Sequence, residues 1–85
     1  MIYIATFFSH FGAVRYKKLC EQQGLAARTI PVPRALSSSC GTCVRCEDGF
    51  VEPSGVCAEE VDRIVEMRED GYVIVYNSEE HTHGN

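Results

Sequence analysis

Residues 2–8 read Ile-Tyr-Ile-Ala-Thr-Phe-Phe, apolar at both alternating sets of positions. A half-exposed strand alternates apolar with polar, whereas a run that is apolar on both sides needs cover on both faces, so this segment predicts a central strand. In a chain of 85 residues that cover comes from a single domain near the lower size limit for a core without staples.

The segments that follow supply the cover. Ser9 is an N-cap residue ahead of a helix predicted from His10 to Gln23, with Gly12, Ala13, Tyr16, Leu19 and Cys20 on one face and Arg15, Lys18 and Gln22 on another; Gly24 ends it. Residues 25–32 include a short strand that Pro31 and Pro33 push to a sheet edge, because proline cannot donate to a ladder. A strand is expected over residues 42–46, then a turn at Glu47-Asp-Gly-Phe and a helix entrance at Pro53-Ser54. The spacing of Cys57, Val61, Ile64, Val65 and Arg68 predicts a second helix over 56–70 with Gly71 as its left-handed cap, and residues 72–76 form the last strand. The order β-α-β-β-α-β predicts an α+β, ferredoxin-like sandwich: a four-stranded antiparallel sheet with two helices on one face. Residues 1–76 are expected to form this one domain, and 77–85 a polar, disordered tail. The strands that are apolar on both faces also suggest a homodimer through the open sheet face.

A net charge of −4 argues against nucleic acid as a partner, since binding to its backbone rests on clustered Lys and Arg. The one basic cluster, Arg15, Lys17 and Lys18, reads as a solvated helix face or as a docking patch for an acidic partner. No apolar run approaches the ~20 residues that span a bilayer and no basic leader precedes the first strand, so a cytoplasmic chain without a membrane partner is expected. Five cysteines, an odd number in a chain of that kind, point to reduced thiols or metal ligation rather than to disulfides.

Three of those thiols form the run Cys40-x2-Cys43-x2-Cys46 behind Ser37-Ser38-Ser39. The spacing admits a zinc or iron–sulfur ligand set with Cys57 or His10 added, a nucleophilic thiol with a resolving partner, or small residues on a strand. Bacterial ferredoxins carry a similar run, but there the fourth cysteine is close by and followed by proline, whereas Cys57 is followed by Ala58. In the expected topology the loop before Cys40 emerges beside Ser9 and His10, while Cys46 and Cys57 go to the opposite end and Cys43 faces away from Cys46. That separation weighs against a four-thiol cluster, so no cofactor is favoured.

It leaves Cys40 as the candidate nucleophile, Cys43 as its candidate resolving thiol and His10 as candidate base or donor. Around them, Ser9, Arg34, Ser37, Ser38, Ser39 and Gly41 have the composition of an anion-binding loop, since hydroxyls, a cation and close backbone approach suit a thiolate or persulfide. The plainer alternatives stay open: three serines as a solvated loop, and His10 as a surface residue. Cys20 reads as core packing, and His81-x-His83 as an adventitious metal site.

Thr6-Phe-Phe-Ser-His-Phe-Gly-Ala13 together with Ile30-Pro-Val-Pro-Arg-Ala-Leu-Ser-Ser-Ser-Cys-Gly41 resembles the small selenium/sulfur carrier protein-like family, over a stretch reaching about residue 76. The resemblance implies that Cys40 carries sulfane sulfur or selenium between a donor and an acceptor protein, as a carrier rather than a turnover enzyme. The chain departs from the simplest form of that pattern by also having Cys43, Cys46 and Cys57.

Overall fold

A computed structural model describes residues 1–38 and 40–78. The elements are β1 (Ile2–Phe7), α1 (His10–Gln22), β2 (Ala26–Pro31), β3 (Thr42–Glu47), α2 (Val56–Glu60), β4 (Val61–Arg68) and β5 (Gly71–Asn77). They form an α+β structure with one antiparallel sheet in the order β2-β3-β1-β4-β5. β1 is central as expected, and β2 is an edge strand. Because β3 pairs antiparallel with both neighbours, β1 and β2 run parallel to each other, joined by α1.

The expected four-stranded sheet is corrected to five strands, and the error lies in the segment predicted as a helix over 56–70. Only Val56–Glu60 is helical, and β4 begins at the next residue. Residues 48–55 make the crossover without a helix: the Phe50 ring lies 4.9 Å from that of Tyr3, and Tyr16 Oη bonds both backbone groups of Val51. Gly71 does not cap a helix. It follows a tight turn at Glu69-Asp70 that joins β4 to β5, with φ 146°, a value suited to glycine.

α1 forms as the sequence predicts. Ser9 Oγ accepts from the Gly12 N–H at 3.3 Å, Gly24 has φ 83°, and Gly12, Ala13, Tyr16 and Cys20 are buried. Both helices cover one sheet face, contributing Ala13, Tyr16, Cys20 and Cys57 to a core with Phe7, Val44, Cys46, Val61, Ile64 and Tyr76. A second, smaller core on the other face holds Ile4, Cys43 and Val65 under Leu36, which arrives from the β2–β3 loop. The face expected to be open is therefore partly covered by the chain's own loop; Met67 and Ile74 remain exposed there. Asn77, assigned to the tail by sequence, ends β5, and residues 79–85, including His81 and His83, lie outside the described residues. Among the described residues no helix is long and apolar enough to cross a membrane.

Candidate functional site

The loop of residues 32–41 is built from its base upward. The Val32 N–H donates to the Gly41 carbonyl at 3.2 Å, closing the loop where β2 and β3 separate. Pro33 fixes the entry to a turn in which the Leu36 N–H donates to the Pro33 carbonyl at 2.9 Å. The turn drives Leu36 onto Ile4, Cys43 and Val65, so an apolar side chain anchors the loop to the sheet. Arg34 sits exposed in that turn.

Beyond the anchor, polar bonds take over. Ser38 Oγ donates to the Phe7 carbonyl at 3.1 Å and accepts from the Cys40 N–H at 3.3 Å, tying the Cys40 backbone to the end of β1. The Ser37 carbonyl accepts from Arg63 Nη2 at 2.6 Å. Cys40 itself is half-buried, on the loop and ahead of β3. His10, the first residue of α1, lines a shallow hollow with Gly41, Thr42 and Pro31, so the loop stands beside the N-terminus of that helix. Gly41, the residue after Cys40, is thus the part of the loop that shares this hollow with His10.

The parts differ from the expected anion cradle in detail. Ser9 uses its side-chain oxygen to cap α1, Ser38 spends its proton on Phe7, and Ser37 contributes a carbonyl bond to Arg63. Ser39 lies outside the described residues. The cation bound to the loop is Arg63 rather than Arg34, and its Nε is buried without a hydrogen-bond partner among the described residues. Sequence reasoning missed Arg63 because it placed residue 63 in a helix; read as a strand residue, it stands opposite Thr6 on β1.

Cys43 lies below the loop on the face of the smaller core, its Sγ 3.7 Å from the Pro31 carbonyl. Burial, with a smaller contribution from nearby Cys40, pushes its thiol up to about 11, so it stays protonated at neutral pH. Cys46 faces the helices instead, with its Sγ 3.5 Å from Cys20 Sγ. Cys57 is buried in that same larger core, and burial raises its thiol. α2 carries the chain from Cys57, which lines a hollow with Leu19 and Gln22 of α1, back to Glu60, whose carbonyl accepts from the Phe8 N–H just ahead of α1. The thiols therefore fall into two sets separated by the sheet, Cys40 with Cys43 and Cys20 with Cys46 and Cys57. Among the described residues no three Cys, His, Asp or Glu side chains gather as a ligand set.

The site is thus a half-buried cysteine on an anchored loop at the edge of a small α+β sandwich, beside a helix N-terminus. Residues 2–52 match the family described as "Putative Se/S carrier protein-like", and the chain belongs to that family. The matched stretch runs from β1 through β3 and includes the whole loop; β4, which supplies Arg63, lies beyond it. No match was found among curated proteins or solved structures.

Proposed function

We propose that the protein carries sulfane sulfur or selenium on Cys40, passing it between a donor and an acceptor protein. The observation that carries this reading is the placement of Cys40: the residue is half-buried, and its N–H is held by Ser38, which is itself bonded to the end of β1. Such a loop keeps the thiol within reach of a partner while limiting the positions the adduct can take. Family membership supports the cargo.

In the loading step the Cys40 thiolate attacks the outer sulfur of a donor persulfide. The donor S–S bond breaks, the donor leaves as a thiolate, and Cys40 keeps the transferred sulfur as a persulfide. A selenium-bearing donor reacts in the same way, and unloading is the same displacement with the acceptor as nucleophile. No outside oxidant or reductant is needed. The neighbouring N-terminus of α1 favours negative charge, which suits the adduct anion. In this reading His10 donates to it and Cys43 serves as its resolving thiol.

Ligation of zinc or an iron–sulfur cluster by Cys40, Cys43, Cys46 and Cys57 would require β3 to leave the sheet, since Cys43 and Cys46 point to opposite faces. A homodimer would have to use what Leu36 leaves uncovered of the sheet face, and sedimentation velocity tests it by the presence or absence of a dimer boundary.

Intact-protein mass spectrometry after incubation with a persulfide donor tests the carrier. The expected result is a gain of about 32 Da, or about 79 Da with selenium, that vanishes in Cys40→Ser. Undiminished loading of that variant would refute the site, and an unloaded protein that binds partner proteins through the loop would make it an adaptor.

A further inference from the structure

We infer that Cys20 and Cys46 form a second reactive site, a buried dithiol that closes to a disulfide between α1 and β3 on two-electron oxidation by a peroxide. It is independent of Cys40 and lies on the opposite side of the sheet from Cys43. The two sulfurs are already 3.5 Å apart and in hydrogen-bond contact, though 26 residues apart in the chain. Bonding asks for an approach of about 1.5 Å, to the roughly 2 Å of a disulfide. Both side chains are fully buried, so each sulfur is held against the other and away from Cys40 and Cys43 on the far side of the sheet.

The pair is also polarised. The Cys46 contact lowers the Cys20 thiol despite burial, and the same contact raises that of Cys46, so Cys20 is the more acidic of the two. Attacker and resolving thiol are thereby distinguished. The way in is the last turn of α1: Cys20 precedes the Gln23 C-cap by three residues, and helix ends open more readily than helix centres. A small oxidant such as hydrogen peroxide fits such an opening.

The Cys20 thiolate attacks one peroxide oxygen and the O–O bond breaks, leaving a sulfenic acid on Cys20 and releasing the other oxygen as hydroxide, which takes up the proton that Cys20 lost on ionising and leaves as water. The Cys46 sulfur then attacks Cys20 Sγ and displaces hydroxide, which leaves as a second water with the Cys46 proton. Two thiols and one peroxide thus become one disulfide and two waters.

The test uses the folded full chain as wild type and as Cys40→Ser, each treated with limiting hydrogen peroxide, alkylated in denaturant and peptide-mapped. The expected result in both is a mass loss of about 2 Da before alkylation and a Cys20–Cys46 cross-linked peptide. The same treatment in denaturant should give mixed pairings, because the selectivity resides in the fold. Recovery of Cys20 and Cys46 as alkylated free thiols while other cysteines are oxidised would overturn the inference. So would a cross-link joining either of them to a different cysteine. Because Cys40→Ser retains the dithiol, failure here and failure of the carrier reading are read separately.

Discussion

Arg63 on β4 donates from Nη2 to the Ser37 carbonyl at 2.6 Å, binding the Cys40 loop to a strand 26 residues further along the chain. A hydrogen bond from a charged group contributes more than a neutral one, about 1.5–3 kcal/mol where it is shielded. Its partial exposure here places the effect at the lower end of that range. Arg63→Ala should therefore free the loop without unfolding the sheet. The Cys40 alkylation rate is expected to rise by roughly tenfold, measured under single-thiol conditions with Cys40→Ser as background. An unchanged rate would mean that Leu36 and Ser38 hold the loop without Arg63.

Ser38 carries two bonds with one hydroxyl, to the Phe7 carbonyl and from the Cys40 N–H. Ser38→Ala removes both and leaves two backbone groups to find water. A loss of about 1–2 kcal/mol in urea unfolding is expected. Faster hydrogen exchange at the Cys40 amide should accompany it. If exchange at Cys40 does not change, the Ser38 bond is not what orders the loop in solution.

Much of the fold was legible in the sequence where a single physical signal dominates. The doubly apolar run of β1, the Ser9 cap, the Gly24 stop and the edge-forming prolines all act locally, and each is found where expected. β4 was misread for a definite reason. Phe7 pairs with Val61 but Thr6 with Arg63, so Asp62 is an extra residue in the strand. That bulge puts Val61 and Ile64 on the same face, three apart, and Val65 is buried on the other. A bulged strand with both faces covered thus imitates the spacing of an amphipathic helix. The contrary signal is Asp70-Gly71 between two apolar runs, a hairpin signature that competes with the reading of Gly71 as a helix cap. In the site, residues within the loop could be named from composition, but Arg63 could not, because its place depends on β4 being a strand.

Gly12 shows how closely the short α2 approaches α1. A Cβ at residue 12 would lie 2.9 Å from Glu60 Cβ and 3.3 Å from the Phe7 ring. Alanine favours the helix by about 1 kcal/mol, but forcing α2 away from α1 costs more, about 1–3 kcal/mol. Gly12→Ala should therefore lower the urea midpoint. A raised midpoint would show that α2 can move aside freely.

Tyr16 fixes the crossover that replaces the expected long helix. Its hydroxyl donates to the Val51 carbonyl at 2.5 Å and accepts from the Val51 N–H at 3.1 Å. Tyr16→Phe keeps the ring against Phe7, with centroids 5.5 Å apart in the parent, and deletes both bonds to Val51. A destabilisation of about 1–3 kcal/mol is expected, with faster hydrogen exchange confined to the crossover. Exchange that increases evenly over the whole sheet instead would mean that Tyr16 supports global stability rather than this segment.

Cys43 provides a pH signature of the loop's cover. Its thiol is raised from an ordinary 9.0 to about 11, first by burial under Leu36 and second by Cys40. Below about pH 9 it is protonated whether the chain is folded or not. Between about 9 and 11 the unfolded chain has released the proton and the folded chain retains it, so the folded state binds more protons and its stability falls as pH rises. The loss reaches on the order of 2 kcal/mol by the upper end. Other buried thiols and tyrosines titrate in the same region, so the comparison is between wild type and Cys43→Ala. The stability difference between them should be constant from pH 7 to about 9, then shift towards the variant by that amount as pH approaches about 11. A difference that stays flat across the whole range would mean that water reaches Cys43 and that Leu36 does not seal the face beneath the Cys40 loop.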